Sequence, residues 1–97
     1  MSQIVELAKK HNCYILCDEV YRCSVNGKIT YSVSDLYDQA IVTGSLSKIF
    51  SFAGLRMGWI KGPKEIIDLI NFRRDYHIIS NGPIDDYLAS IVLENKD

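Results

Sequence analysis

Two short apolar runs constrain this chain more than any other feature. Cys13-Tyr14-Ile15-Leu16-Cys17 and Ala40-Ile41-Val42-Thr43 carry almost no polar residue. Such runs suit strands buried on both faces, as in the parallel sheets of α/β proteins. The first ends abruptly in Asp18-Glu19, the second at Gly44. Helical periods lie on either side. Ile4, Val5, Leu7 and Ala8 lead into Lys9-Lys10-His11, basic residues that suit a helix C-terminus, and Asn12 is a stop. Asn26-Gly27 predicts a turn, and Ser34 to Tyr37 one short helical turn. Arg56 to Lys61 reads as a third strand, closed by Gly62-Pro63. Glu65 to about Tyr76 is a helix with Ile66, Ile67, Leu69, Ile70 and Phe72 on its expected buried side. Pro83 to about Glu94 is a last helix, with Ile84, Tyr87, Leu88, Ile91 and Val92 on one face.

The expected class is therefore α/β: about three strands of a mainly parallel sheet with flanking helices. Three strands and three helices do not cover such a sheet on both sides. The sequence reads as the middle of a larger domain. Tyr14, Ile15, Ile41, Val42, Trp59 and Ile60 are expected to line the faces left open, which invites self-association.

Composition narrows the function classes. The 97 residues are enough for one domain, and 47% hydrophobic with 24% charged is ordinary for a folded chain. Eleven Lys and Arg against twelve Asp and Glu leave a net charge of -1. No excess positive field is present to grip phosphate backbones, so no nucleic-acid partner is expected. No apolar run approaches the roughly 20 residues that span a bilayer, so no membrane partner is expected either. Met1 to Glu6 does not read as a secretory signal. The three cysteines, Cys13, Cys17 and Cys23, are an odd number. Cys13 and Cys17 on one strand would stand about 13 Å apart, too far for a disulfide. Free thiols and a cytoplasmic location are the expectation.

Several residues can carry chemistry. Asp18 directly follows a buried strand, at the end where open α/β sheets bind ligands. It is either a ligand acid or a loop carboxylate in a cap or ion pair. Tyr21 either points into the same crevice or covers the sheet edge. The turn Gly44-Ser45-Leu46-Ser47-Lys48 can hold an anion. Lys48 in that turn is either a solvated charge or a nucleophile. A nucleophile would require burial or a nearby cation, for which Arg56 is a candidate. Gly54 and Gly58 flank Arg56 and allow close backbone approach.

Taken together, Asp18-Glu19-Val20-Tyr21-Arg22, Ser45-Leu46-Ser47-Lys48 and Gly54-Leu55-Arg56-Met57-Gly58-Trp59 resemble the core of the class I/II aminotransferases. These are fold-type I enzymes that use pyridoxal 5'-phosphate (PLP). The resemblance runs through nearly the whole chain. It implies a partial three-layer PLP-transferase large domain. It implies that Lys48 bonds to PLP as an imine and later shuttles a proton. By the same resemblance Asp18 pairs with the pyridine nitrogen, and Tyr21 donates to the O3' oxygen. Ser45, Ser47 and Arg56 match phosphate ligands, Arg56 with a planar fork suited to phosphate oxygens. The implied reaction moves an amino group from an L-amino acid to a 2-oxo acid.

The resemblance also defines what residues 1–97 lack. The N-terminal part of the large domain, with the phosphate-binding turn, the ring-stacking aromatic and an Asn-Pro motif, is expected to be absent. So is the small C-terminal domain with its carboxylate-gripping arginine; Arg73 and Arg74 do not match that motif. Residues 1–97 are thus expected to be a fragment of the PLP-binding large domain, self-associating as a homodimer or larger. Two alternatives stand beside transamination: a non-catalytic fragment that folds without turnover, and a related PLP lyase such as a carbon–sulfur β-lyase.

Overall fold

The computed structural model describes residues 1–22, 24, 25 and 28–95. The expected Asn26-Gly27 turn and Cys23 lie outside the described residues. Helix α1 spans Ser2–His11. Asn12 ends it in the left-handed region at φ 49°, and its N–H returns to the carbonyls of Ala8 and Lys9. Strand β1 is Ile15–Asp18, two residues shorter at its start than the apolar run. Cys13 thus precedes the strand, and Cys13 and Cys17 are free thiols. Short strands β2 (Ser24–Val25) and β3 (Lys28–Ile29) pair antiparallel in a separate ribbon. A 3-10 turn at Val33–Asp35 follows. It is fixed by a reciprocal cap in which Ser32 N donates to Asp35 Oδ2 at 3.0 Å and Ser34 N to Ser32 Oγ at 3.2 Å.

Strand β4, Ala40–Ser45, is central. β1 runs parallel to it, with Cys17 opposite Val42 and Asp18 opposite Thr43. β5, Gly58–Lys61, runs antiparallel to it, with Ser45 opposite Gly58 and Gly44 opposite Trp59. The sheet is therefore mixed where a mainly parallel one was expected. The connection from Leu46 to Met57 explains this: it holds only the 3-10 turn Ala53–Leu55, and no crossover helix that would return the chain in parallel. Gly44 does not stop β4, because its missing side chain makes room for the Trp59 indole. A Cβ there would lie 2.4 Å from Trp59 Cε2.

One face of the sheet is covered. Val5 and Ala8 of α1 pack with Val33, Tyr37, Ala40 and Val42, and Ile15 and Cys17 lie against this core. The other face carries Leu16, Asp18, Ile41, Thr43 and Ser45, and Leu16 is 72% exposed. β1 and β4 are thus most buried on the core face, while on the second face Leu16 and Asp18 are exposed and Ile41, Thr43 and Ser45 half-buried. Of the residues expected on open faces, Tyr14, Trp59 and Ile60 are exposed, while Val42 belongs to the core.

Helices α2 (Lys64–Arg74) and α3 (Pro83–Glu94) complete the fold. The expected buried side of α2 is realised only in part, with Ile66, Ile67 and Ile70 half-buried. Leu69 and Phe72 are 58% and 74% exposed, and no residue of the helix is fully buried. On α3 the buried residue is Ala89, with half-buried Asp85 and Val92 on the same stripe. Ile84, Tyr87, Leu88 and Ile91 face outward instead. The result is a flat body of 44 × 40 × 17 Å with a radius of gyration of 15.2 Å. A compact chain of this length has a radius near 13 Å.

Candidate functional site

The candidate residues sit where the strands end. β1 terminates in Asp18, and the parallel register sets Thr43 beside it. Thr43 Oγ1 donates to Asp18 Oδ1 at 2.8 Å, and Val20 N approaches the same oxygen at 3.4 Å. Both bonds fix the carboxylate's direction and load one oxygen. Thr43 carries no motif signal. Only its register with Asp18 reveals its role, and register is a long-range property.

After Asp18 the backbone ladder continues for one residue, as Glu19 N donates to Thr43 O at 2.8 Å. Arg22 N then donates to Glu19 O at 2.8 Å, closing a turn with Val20 and Tyr21 at its centre. Tyr21 is thereby held out at the strand end, exposed. The Lys48 ammonium lies over its ring, with Nζ 5.7 Å from the centroid.

Lys48 reaches that position from the loop after β4, whose C-terminal end lies at the same sheet edge as that of β1. Leu46, 1% exposed, anchors the loop after β4. Its N–H donates to Met57 O at 3.1 Å, and its carbonyl accepts from Phe52 N at 2.9 Å. Ser51 N donates to Lys48 O at 3.0 Å. The loop folds back on itself, and the edge-to-face contact of Phe50 with Trp59, centroids 6.4 Å apart, pins it to β5. Ser45 Oγ accepts from Ser47 N at 3.2 Å, so the two serines form one small turn.

Arg56 lies one residue from the Leu46–Met57 bridge and so in the same loop. Its backbone is left-handed at φ 51°, an unusual state for a residue with a side chain. Its guanidinium donates to Ala53 O at 2.9 Å, within its own turn. The structure thus brings Asp18, Tyr21 and Lys48 to one edge, with Ser45 at the end of β4 and Ser47 and Arg56 in the loop that follows. Arg56 does not turn toward the serines.

A cleft of about 200 Å³ lies nearby, lined by Glu19, Arg22, Ser32, Thr43, Ser45 and Trp59 among others. Ser45 alone of the six candidates lines it. Its polar walls already bond to one another, through Glu19 to Ser32, Val33 and Arg22. It is the support behind the site. Among the described residues no helix is long and apolar enough to cross a membrane.

Comparison with known proteins bears on the family and the fold. Residues 1–95 match the family model described as "Aminotransferase class I and II". A histidinol-phosphate aminotransferase of Pelagibacter ubique is 37% identical over 75% of this chain and 22% of its own length. A capreomycidine synthase of Streptomyces vinaceus is 32% identical over 62% of this chain and 15% of its own. The crystal structure of a PLP-dependent aminotransferase from Streptococcus suis superposes with a TM-score of 0.85 at 36% identity, over 94% of this chain and 24% of that one. The chain spans less than a quarter of the length of each of these relatives.

Proposed function

We propose, since this chain belongs to the aminotransferase class I and II family, that it carries the lysine side of a PLP site and serves amino-group transfer from an L-amino acid to a 2-oxo acid. The observation that carries this reading is the meeting of two distant segments: Lys48 lies over Tyr21, at the strand end that also bears Asp18. The donor set fits the cofactor. Among the described residues Asp18 Oδ2 takes no protein donor, while Oδ1 is held by Thr43. A carboxylate so oriented accepts the N–H of a pyridinium ring and keeps it protonated. Tyr21 offers a phenol to the ring's oxygen. Ser45 and Ser47 hydroxyls and the Arg56 guanidinium suit a phosphate dianion. Binding would turn Arg56 away from Ala53 O.

Bound PLP supplies an electron sink for carbanion chemistry. Lys48 supplies the amine that holds the cofactor, and its Nζ then carries the proton lost from the substrate's α-carbon. Residues 1–97 would form part of a large domain, with the substrate's α-carboxylate held outside them. The free thiols Cys13 and Cys17 accord with a cytoplasmic setting. The named activities of the relatives include a synthase as well as an aminotransferase, so a related PLP reaction such as carbon–sulfur β-elimination is the second reading. Capture of PLP without turnover is expected of the 97 residues alone, because Asp18, Tyr21, Lys48 and Arg56 are all open to solvent.

Titrating the protein with PLP and following visible absorbance tests the proposal. A saturable band is expected, lost in Lys48→Ala. Arg56→Gln and Asp18→Asn should weaken apparent affinity, each by about tenfold, the size of one charge-assisted contact. An unchanged titration in Lys48→Ala would sink it.

A further inference from the structure

We infer that Glu19 and Arg22 form a clasp that positions Tyr21 against Lys48, an assignment that rests on the cofactor-site reading above. In extended backbone adjacent side chains point to opposite faces. Asp18 accordingly takes the open face, with Thr43, and Glu19 takes the other. There Glu19 Oε1 accepts from Ser32 Oγ at 3.0 Å and from Val33 N at 2.9 Å. Both partners are buried, Val33 to 1% exposure. Glu19 Oε2 takes Arg22 Nε at 2.9 Å. Arg22 Nη1 donates to Thr30 O at 2.7 Å. The carboxylate thus binds both ends of the turn that carries Tyr21 to the core beneath it.

Tyr21 itself has little else to hold it. It is 68% exposed at the centre of a four-residue turn. Without the side-chain clasp, the bond from Arg22 N to Glu19 O and the long contact of Val20 N with Asp18 Oδ1 would define its direction. The clasp also sorts charge. Two adjacent carboxylates could compete for Lys48. Arg22 neutralises Glu19, and Asp18 is left as the carboxylate facing the site. Glu19 and Arg22 are positioning residues: they act on the cofactor through Tyr21 and touch nothing at the reacting centre.

The test uses the 97-residue chain and two readouts. The first is the nuclear Overhauser contact between the Tyr21 ring and the Lys48 side chain, measured without PLP. The second is the rate at which PLP becomes fixed to Lys48 by borohydride, read by peptide mass. Glu19→Gln and Arg22→Gln should each weaken the contact and slow capture on the order of tenfold, the scale of a small misplacement of a reacting group. In a Tyr21→Leu background Glu19→Gln should add no further loss. An unchanged contact in both variants overturns the clasp. So does an equal loss in the Tyr21→Leu background, which general loosening would produce. Should Glu19→Gln not fold, Arg22→Gln decides alone, since its side chain is 37% exposed and lies outside the core. If the wild-type chain shows no capture at Lys48, the cofactor reading fails, while the Tyr21–Lys48 contact still decides the clasp.

Discussion

Cys17 lies half-buried at the edge of the core, two residues before Glu19 and next to Asp18. Burial, and then the negative charges of Glu19 and Asp18, push its thiol above the usual range. The folded state therefore binds this proton more tightly than the unfolded chain. The resulting stability is present below the unfolded thiol's pKa, about 8.5, and is lost as pH rises through the folded value. Iodoacetamide labelling of Cys17, followed by mass spectrometry, should rise at higher pH than labelling of glutathione; coincident profiles would contradict this. Asp18 shows what single residues reveal in sequence. Its place after an apolar run made it legible as a strand-end acid. Its partner Thr43 was not legible, because the Asp18–Thr43 bond depends on how two strands slide past each other.

The elements were legible where apolar residues cluster. α1, β1, β4, β5, α2 and α3 all fall within or close to their expected spans. The direction of β5 and the packed faces of α2 and α3 were not. On α3 the richest apolar face points outward, while the small residue Ala89 is buried on a helix that contacts the Ala53–Leu55 turn. Apolar periodicity locates a helix but does not say which neighbour is present to cover it. The β4–β5 pair offers a sharper check. Gly44→Ala places a Cβ against the Trp59 indole, an overpacking cost of about 1–3 kcal/mol. The chain has one tryptophan, so fluorescence during urea unfolding reports the surroundings of Trp59. A lower midpoint with a shifted native spectrum is expected, and an unchanged midpoint would refute the assignment of Gly44.

The flat shape, the exposed Leu16 of β1 and the exposed apolar residues of α2 and α3 belong together. Leu16, Leu69, Phe72 and Ile84 are each more than half exposed, more apolar surface than a monomer of this size leaves uncovered without consequence. We propose that the chain self-associates at micromolar concentration. Sedimentation velocity should show a dimer or larger, and a clean monomer of 11.0 kDa would count against it. Phe72→Glu should reduce that association while changing stability by no more than about 0.5 kcal/mol, as for an exposed position. We propose that Asp18, Tyr21, Lys48 and Arg56 form one cofactor site across three separated segments. Borohydride reduction of the PLP-treated wild-type chain, with peptide mapping of every lysine, tests it most directly. Label is expected to concentrate on Lys48. Label spread evenly over Lys9, Lys10, Lys61 and Lys64 would contradict it, because the loop would then offer PLP nothing that the open surface does not.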